Sequence, residues 1–214
     1  MSQENIQKKC VDSLRTFTQE NFNIKIKASH AHELVAAYFG YNSKNALIAD
    51  KKYSLSRISE AAVFVMVPDE FVDNRISDFK DFSLNMADVY SLGEAIYTPL
   101  FADISVYKSE YPPFKNFDLF AKYYLENNQR WNDHFQKLGK FKLDHIVDVK
   151  QYDELVEIVV IHTSKKSDVD YVGIGKTTLT LPRVVGKIGF LKPEMKLESW
   201  SGQARKHFKL NKRV

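Results

Sequence analysis

Apolar side chains recur at helical spacing near the start of the chain and again in its middle. Over residues 4–19, Ile6, Cys10, Leu14 and Phe17 fall on one side of a helix, which is the pattern of an amphipathic helix that packs on a core. The same spacing predicts further helices over residues 68–79, 83–97 and 116–138. The last of these carries an aromatic stripe that is typical of a core-facing side.

The pattern changes from helical to alternating after Gly139. β-Branched residues crowd residues 155–163, which predicts a strand. Alternation predicts three more strands, with short turns at Pro182-Arg183 and Lys192-Pro193, over residues 171–181, 184–190 and 195–200. Because consecutive strands with tight connections pair antiparallel, we expect an antiparallel β-meander or a small open barrel.

These elements predict an α+β protein with two domains. Residues 1–140 are expected to form a mostly helical domain, and residues 141–214 an antiparallel β-rich domain that ends in a basic tail. One more short strand is predicted over residues 103–107.

Residues 29–50 are predicted to form a helix-turn-helix-like unit within the helical domain. Ser29 is a residue type that caps helix N-termini, and Glu33 is expected near the positive end of the same first helix. Gly40 can take the left-handed backbone conformation that ends many helices, and Asn42 and Ser43 both offer a second N-cap. Two short helices joined by such a turn form the helix-turn-helix pattern, which also occurs as a plain packing unit.

The second helix of this unit is predicted over residues 44–50. Its Ala46 and Ala49 are expected to face inward, and small Ala36 is expected where the two helices approach each other. If the unit binds DNA, the start of its second helix lies nearest the base edges in the major groove.

The side chains at that helix start suit DNA recognition. Asn can read adenine with two hydrogen bonds, Lys can reach guanine or phosphate, and Ser suits phosphate. Two lysines that follow the helix are expected to contact the phosphate backbone. The predicted nucleic-acid-binding residues are therefore Asn42, Ser43, Lys44, Asn45, Lys51 and Lys52.

A family resemblance is limited to this stretch of the 214-residue chain. The strings SHAHELVAA and GYNSKNAL, within residues 29–50, resemble a short N-terminal helical module of uncharacterised bacterial proteins, some of them from plasmids or other mobile elements. The stretch also looks like the helical segment attached to some glyoxalase-related proteins. The resemblance implies a bacterial or mobile-element setting and carries over no catalytic residue.

Charge is distributed unevenly along the chain, whose formal net charge is +4. Residues 1–60 hold nine basic and six acidic side chains, residues 61–130 hold six and eleven, and residues 186–214 hold eight and two. A basic tail at 205–214 and a basic helical unit would suit a polyanion. The alternative is a solvated, charged terminus without a partner.

Composition favours a globular protein in a reducing compartment. The chain is 44% apolar and rich in aromatic residues, which argues against disorder. The single Cys10 excludes an internal disulfide framework, and its place on the apolar stripe predicts a core residue. Without a long apolar run we expect neither a signal peptide nor a membrane span, and therefore a cytoplasmic location.

Other candidate sites are weaker. The string Gly173 to Thr178 resembles a phosphate loop, but Asp170 stands where the first glycine belongs and a strand follows instead of a helix. His30 and His32 are two apart on a helix and point away from each other, so they are a poor metal pair. No catalytic residue, metal site or cofactor is predicted.

Three function classes remain open from the sequence. The first is a nucleic-acid-associated protein that binds DNA through residues 29–50 and its basic ends. The second is a protein-interaction or structural module, with a protein partner or a second copy of the chain and no nucleic acid. An enzyme is the third and least supported class.

Overall fold

The computed structural model describes residues 3–79, 89–101, 110–136, 141–165 and 172–202. The helices are α1 (Gln3–Phe22), α2 (Ala28–Tyr38), α3 (Lys44–Ala49), α4 (Asp69–Ser77), α5 (Val89–Phe101), α6 (Phe117–Glu126) and α7 (Gln129–Gln136), with a 3-10 helix at Leu55–Glu60. The strands are β1 (Val63–Phe64), β2 (Phe141–Gln151), β3 (Leu155–Lys165), β4 (Val172–Val185), β5 (Gly189–Phe190) and β6 (Glu194–Gly202).

The α+β prediction is confirmed, and the described strands form one antiparallel sheet. Its order is β1-β5-β4-β3-β2, and β6 also pairs with β4. Strand β6 pairs with the first part of β4, from Val172 to Thr180, whereas β5 pairs with the end of β4 near Arg183. Strand β4 therefore has more partners than the central strand of a simple meander, because its fourteen residues serve β3, β5 and β6.

The chain contains two compact units that do not follow chain order. Unit 1 comprises 1–116, 153–155 and 181–192, and unit 2 comprises 117–152, 156–180 and 193–214. The first residues of β4 belong to unit 2 and its last residues to unit 1. A division of the chain into folding domains at residue 140 stays a prediction.

Unit 1 is built around the predicted amphipathic helix α1. Ile6, Cys10 and Leu14 have no exposed surface, so the helical stripe is confirmed. Burial raises the pKa of the Cys10 thiol to about 12, which keeps it protonated and marks it as a core residue. The Ser13 hydroxyl donates to the Ala95 carbonyl oxygen at 2.6 Å and so joins α1 to α5.

Unit 2 packs α7 on the inner side of β3 and β4. Val156, Ile158 and Val160 are buried and lie in strand β3, which the crowding of β-branched residues predicts. The ring of Phe135 covers Gly175, where a Cβ atom would lie only 2.2 Å from Phe135 Cε1. Only glycine leaves room for that ring.

Three sequence-based assignments are wrong. The single helix predicted over 116–138 is two helices, because the Asn128 side chain accepts from Trp131 N at 3.1 Å and caps a new helix. The turn predicted at Pro182-Arg183 lies inside β4. Strand β2 is absent from the prediction, because residues 141–151 lack the β-branched density of β3.

Other predictions fall outside the described residues. They are the strand at 103–107, the helix stop at Gly139 and the basic tail at 205–214. None of the helices that the structure describes is both long and apolar enough to cross a membrane.

Candidate nucleic-acid interface

The turn that ends α2 is set by Gly40. This residue has φ +84°, in the left-handed region that glycine occupies at low cost. Gly40 N donates to the Ala37 carbonyl oxygen at 2.8 Å and Tyr41 N to that of Ala36 at 2.9 Å. These two bonds form a Schellman motif and reverse the chain toward α3, as the sequence predicts.

The start of α2 differs from the prediction. Lys27 is the N-cap, no side chain caps the helix, and Ser29 lies inside the first turn. Glu33 lies beyond that turn, so it is not placed near the positive end of α2. Both predicted roles are wrong, because the extended segment before α2 ends two residues earlier than Ser29 requires.

Glu33 instead serves the start of α3. One oxygen of its carboxylate accepts from Lys44 N at 3.1 Å and from the Arg75 guanidinium at 2.6 Å. The Ser43 hydroxyl oxygen accepts from Ala46 N at 3.1 Å, so Ser43, and not Asn42, is the N-cap of the two predicted candidates. A six-residue helix is unstable alone. The hydrogen bonds that Lys44 N and Ala46 N donate to Glu33 and Ser43 hold its first turn.

The end of α3 is held by Asp50. Its carboxylate accepts from the Tyr41 hydroxyl at 2.7 Å, from Tyr53 N at 3.1 Å and from the Arg183 guanidinium at 3.2 Å. Burial and the hydrogen bond to Asp50 raise the pKa of Tyr41 well above its ordinary value. The tyrosine therefore keeps its proton, and with it the hydrogen bond to Asp50, to higher pH than an exposed tyrosine does.

Arg183 comes from strand β4 and contacts residues 28–50, here called the α2–α3 unit, at Tyr41 and Asp50. Its guanidinium lies 3.9 Å from the centroid of the Tyr53 ring, donates to the Asp153 carbonyl oxygen at 3.1 Å and donates to that of Gly186. Sequence reasoning missed this residue, since 133 positions separate it from Asp50. The sequence pattern placed Arg183 in a turn, so it gave no signal for this contact.

The predicted nucleic-acid-binding residues all lie at the surface of unit 1. Asn42, Asn45, Lys51 and Lys52 are exposed, and Ser43 and Lys44 are half-buried. Ala46 and Ala49 are also exposed, so the expectation that they face inward is wrong. Leu47 is the buried residue of α3, because so short a helix has room for one apolar contact.

Lysines of this surface differ in their ion pairs. Lys52 Nζ lies 2.5 Å from Glu154 Oε1, and that carboxylate raises the pKa of Lys52 through their hydrogen bond. Within the described part of the chain, neither Lys44 nor Lys51 has a carboxylate within ion-pair distance. These two cations are therefore available to a ligand.

Comparison with family models, with curated proteins and with solved structures finds no match for this chain. Its function must be argued from its own residues.

The other candidate sites of the sequence analysis have little structural support. The string Gly173 to Thr178 lies within β4, so it does not form a phosphate loop. Among the residues that the structure covers, no group of three His, Cys, Asp or Glu side chains could hold a metal ion. His30 stacks on the Phe79 ring at 4.5 Å.

Unit 2 contains a buried polar group and a surface cleft. Thr177 Oγ1 accepts from Trp131 Nε1 at 3.2 Å and lies 2.9 Å from His162 Nε2. Thr177 and His162 have no exposed surface, so this group stabilises the core. The cleft, of about 490 Å³, has one carboxylate and one imidazole, from Asp133 and His134, which is little for an enzyme site.

Proposed function

We propose that the protein binds duplex DNA through its α2–α3 unit. One observation carries the proposal: both acidic residues of the unit are already neutralised by arginines from elsewhere in unit 1. Glu33 pairs with Arg75 and Asp50 with Arg183, while Lys44 and Lys51 have no ion pair among the described residues. The outer surface of the unit is therefore positively charged, as a phosphate ligand requires.

The exposed polar residues near the start of α3 can form hydrogen bonds with bases and phosphates. Asn42 and Asn45 lie just before and within the first turn of α3, and both amides are exposed. Each can form two hydrogen bonds with an adenine edge in the major groove. The Ser43 hydroxyl oxygen accepts from the backbone, but its proton remains free to donate to a phosphate.

A bacterial or mobile-element setting and a cytoplasmic location belong to the same proposal. The bacterial setting rests on the resemblance of residues 29–50 to a helical module of bacterial proteins, and the cytoplasmic location on the single, buried Cys10. In a bacterial cell the cytoplasm contains the DNA.

The test is fluorescence anisotropy with a labelled mixed-sequence duplex, titrated with the full-length protein at several salt concentrations. We expect binding in the micromolar range. The logarithm of the association constant should fall linearly with the logarithm of the salt concentration. The variant with Lys44→Gln and Lys51→Gln should bind less tightly, and its slope should be smaller by about 0.9 for each phosphate that is no longer neutralised.

A matched control removes the same charge elsewhere in unit 1. Lys8→Gln with Lys25→Gln changes two exposed lysines of α1 and of the segment after it. If the control weakens binding as much as the test variant, the α2–α3 unit is not the site. Absence of binding by the unmodified protein at low salt would end the proposal.

An exposed apolar side chain favours one second candidate, a protein–protein interface. Ile48 of α3 is 37% exposed, next to exposed Ala49. Sedimentation of the unmodified protein over a range of concentrations would show self-association. Ile48→Ser should abolish that association if α3 is the interface, and should leave DNA binding nearly unchanged if α3 contacts DNA.

A further inference from the structure

The turn between β4 and β5 lies directly against the α2–α3 unit. Gly186 N donates to the Tyr53 carbonyl oxygen at 2.9 Å, and Lys187 N donates to that of Phe39 at 3.0 Å. Phe39 immediately precedes the turn at Gly40, and Tyr53 follows α3. Two backbone hydrogen bonds thus hold the β4–β5 turn against the turn between α2 and α3 and against the segment that follows α3.

The side chain of Lys187 extends across Gly40. A Cβ atom at Gly40 would lie 2.6 Å from Lys187 Cβ and 3.0 Å from its Cγ and Cδ. The aliphatic part of the lysine therefore occupies the space that the missing side chain leaves free. Lys187 as a whole is exposed, so its ammonium group extends into solvent beyond the turn.

Among the residues that the structure describes, no carboxylate forms an ion pair with the ammonium group of Lys187. Lys192 of the same region, by contrast, pairs with Glu110 at 3.7 Å. The acids of the α2–α3 unit are engaged by Arg75 and Arg183. A phosphate could therefore bind Lys187 without breaking an existing ion pair.

We infer that Lys187 is a further phosphate-contacting residue of the DNA-binding surface, supplied by the β4–β5 turn. The inference rests on the proposed function and extends its site beyond residues 29–50. Lys44 lies at the start of α3, Lys51 follows its end, and Lys187 lies over the preceding turn. The ligand is the phosphate backbone of duplex DNA, held at a third point by a residue remote in sequence.

The test compares single-charge variants in the same anisotropy titration, at about 0.1 M salt and over a salt series. Lys187→Gln keeps most of the aliphatic stem over Gly40 and removes the charge. We expect roughly five- to tenfold weaker binding and a salt slope smaller by about 0.9. Lys187→Arg should bind like the unmodified protein, because it keeps the charge.

Lys192→Gln is the matched control, because it removes an equal charge from the same region where the lysine already has a partner. It should bind within about twofold of the unmodified protein. If both glutamine variants weaken binding equally, the role of Lys187 is overturned and the proposed function stands. If the unmodified protein fails to bind duplex at low salt, both are overturned. Thermal unfolding of each variant excludes loss of fold as the cause.

Discussion

At the scale of single residues, the contact between Asp50 and Arg183 decides how the α2–α3 unit is held. Their side chains are 22% and 10% exposed, so both charges are largely removed from water. Such a pair adds little net stability as a whole, but loss of one partner leaves the other charge uncompensated. Among the described residues, the carboxylate then keeps the Tyr41 hydroxyl and the Tyr53 backbone N–H as its donors.

Arg183→Met tests this contact. We expect a loss of about 2–4 kcal/mol in the free energy of unfolding, because the Asp50 carboxylate loses its partner and several donors disappear together. Urea unfolding followed by circular dichroism measures it. Arg57→Met is the control: Arg57 and Glu60 are 41% and 48% exposed, so this change should cost less than about 1 kcal/mol. Equal losses would contradict the assignment.

His32 is a second residue with a consequence at this scale. Its pKa is lowered from its ordinary 6.5, first by burial and next by the Lys44 ammonium. The charged groups around it are Asp12, Arg15, Glu33 and Lys44. His32 binds a proton less readily in the folded state than in the unfolded chain. Its contribution to folding stability is therefore fully present above the unfolded pKa and is lost as the pH falls through the lower, folded pKa.

His32→Gln removes this proton linkage. Between about pH 7.5 and pH 5.5 the unmodified protein should lose more thermal stability than the variant does. Melting temperatures at both pH values, for both proteins, give the comparison. An equal loss in the two proteins would show that His32 protonates as easily in the folded state as in the unfolded chain.

At the scale of elements, α3 depends on contacts outside itself. A helix of six residues does not persist in water by its own hydrogen bonds. Ser43 and Glu33 hold its start, Asp50 holds its end, and Leu47 is its buried residue. The turn at Gly40 places all of these contacts, because it directs the chain from α2 into α3.

Gly40→Ala tests that turn. A side chain there meets both a left-handed backbone conformation and the stem of Lys187 at 2.6 Å. We expect the free energy of unfolding to fall by about 1–3 kcal/mol, measured by urea unfolding. An unchanged midpoint would mean that the turn can adopt another conformation at no cost.

At the scale of the whole molecule, the net charge of +4 is small, but positive charge is in excess at the surface around α3. Arginines form ion pairs with the acidic side chains of the α2–α3 unit, so the lysines around α3 carry the remaining positive charge. Lys52 is an exception, since Glu154 of the β2–β3 connection pairs with it. If the surface binds phosphate, this carboxylate competes with the ligand for Lys52.

Glu154→Gln should therefore strengthen DNA binding. We expect roughly two- to fivefold tighter binding and a steeper salt slope, because Lys52 becomes available to a phosphate. Glu110→Gln is the matched control: Glu154 and Glu110 are 73% and 75% exposed, and each pairs with one lysine. If both changes act equally, the effect comes from net charge and not from Lys52.

Much of this protein follows from local sequence. The stripe of Ile6, Cys10 and Leu14 determines helix α1, because helical periodicity and burial act within one element. Gly40 and Ser43 determine the turn and the start of α3 through their own backbone and hydroxyl chemistry. The β-branched run in β3 likewise determines a strand.

Only the tertiary structure decided the rest. Glu33 caps α3 and not its own helix, Arg183 neutralises Asp50, and Lys187 lies over Gly40. Each depends on which distant segments become neighbours, and such pairing is set by the packing of the whole unit. The six candidate recognition residues could be predicted from one short stretch of sequence, but the charges that surround them could not.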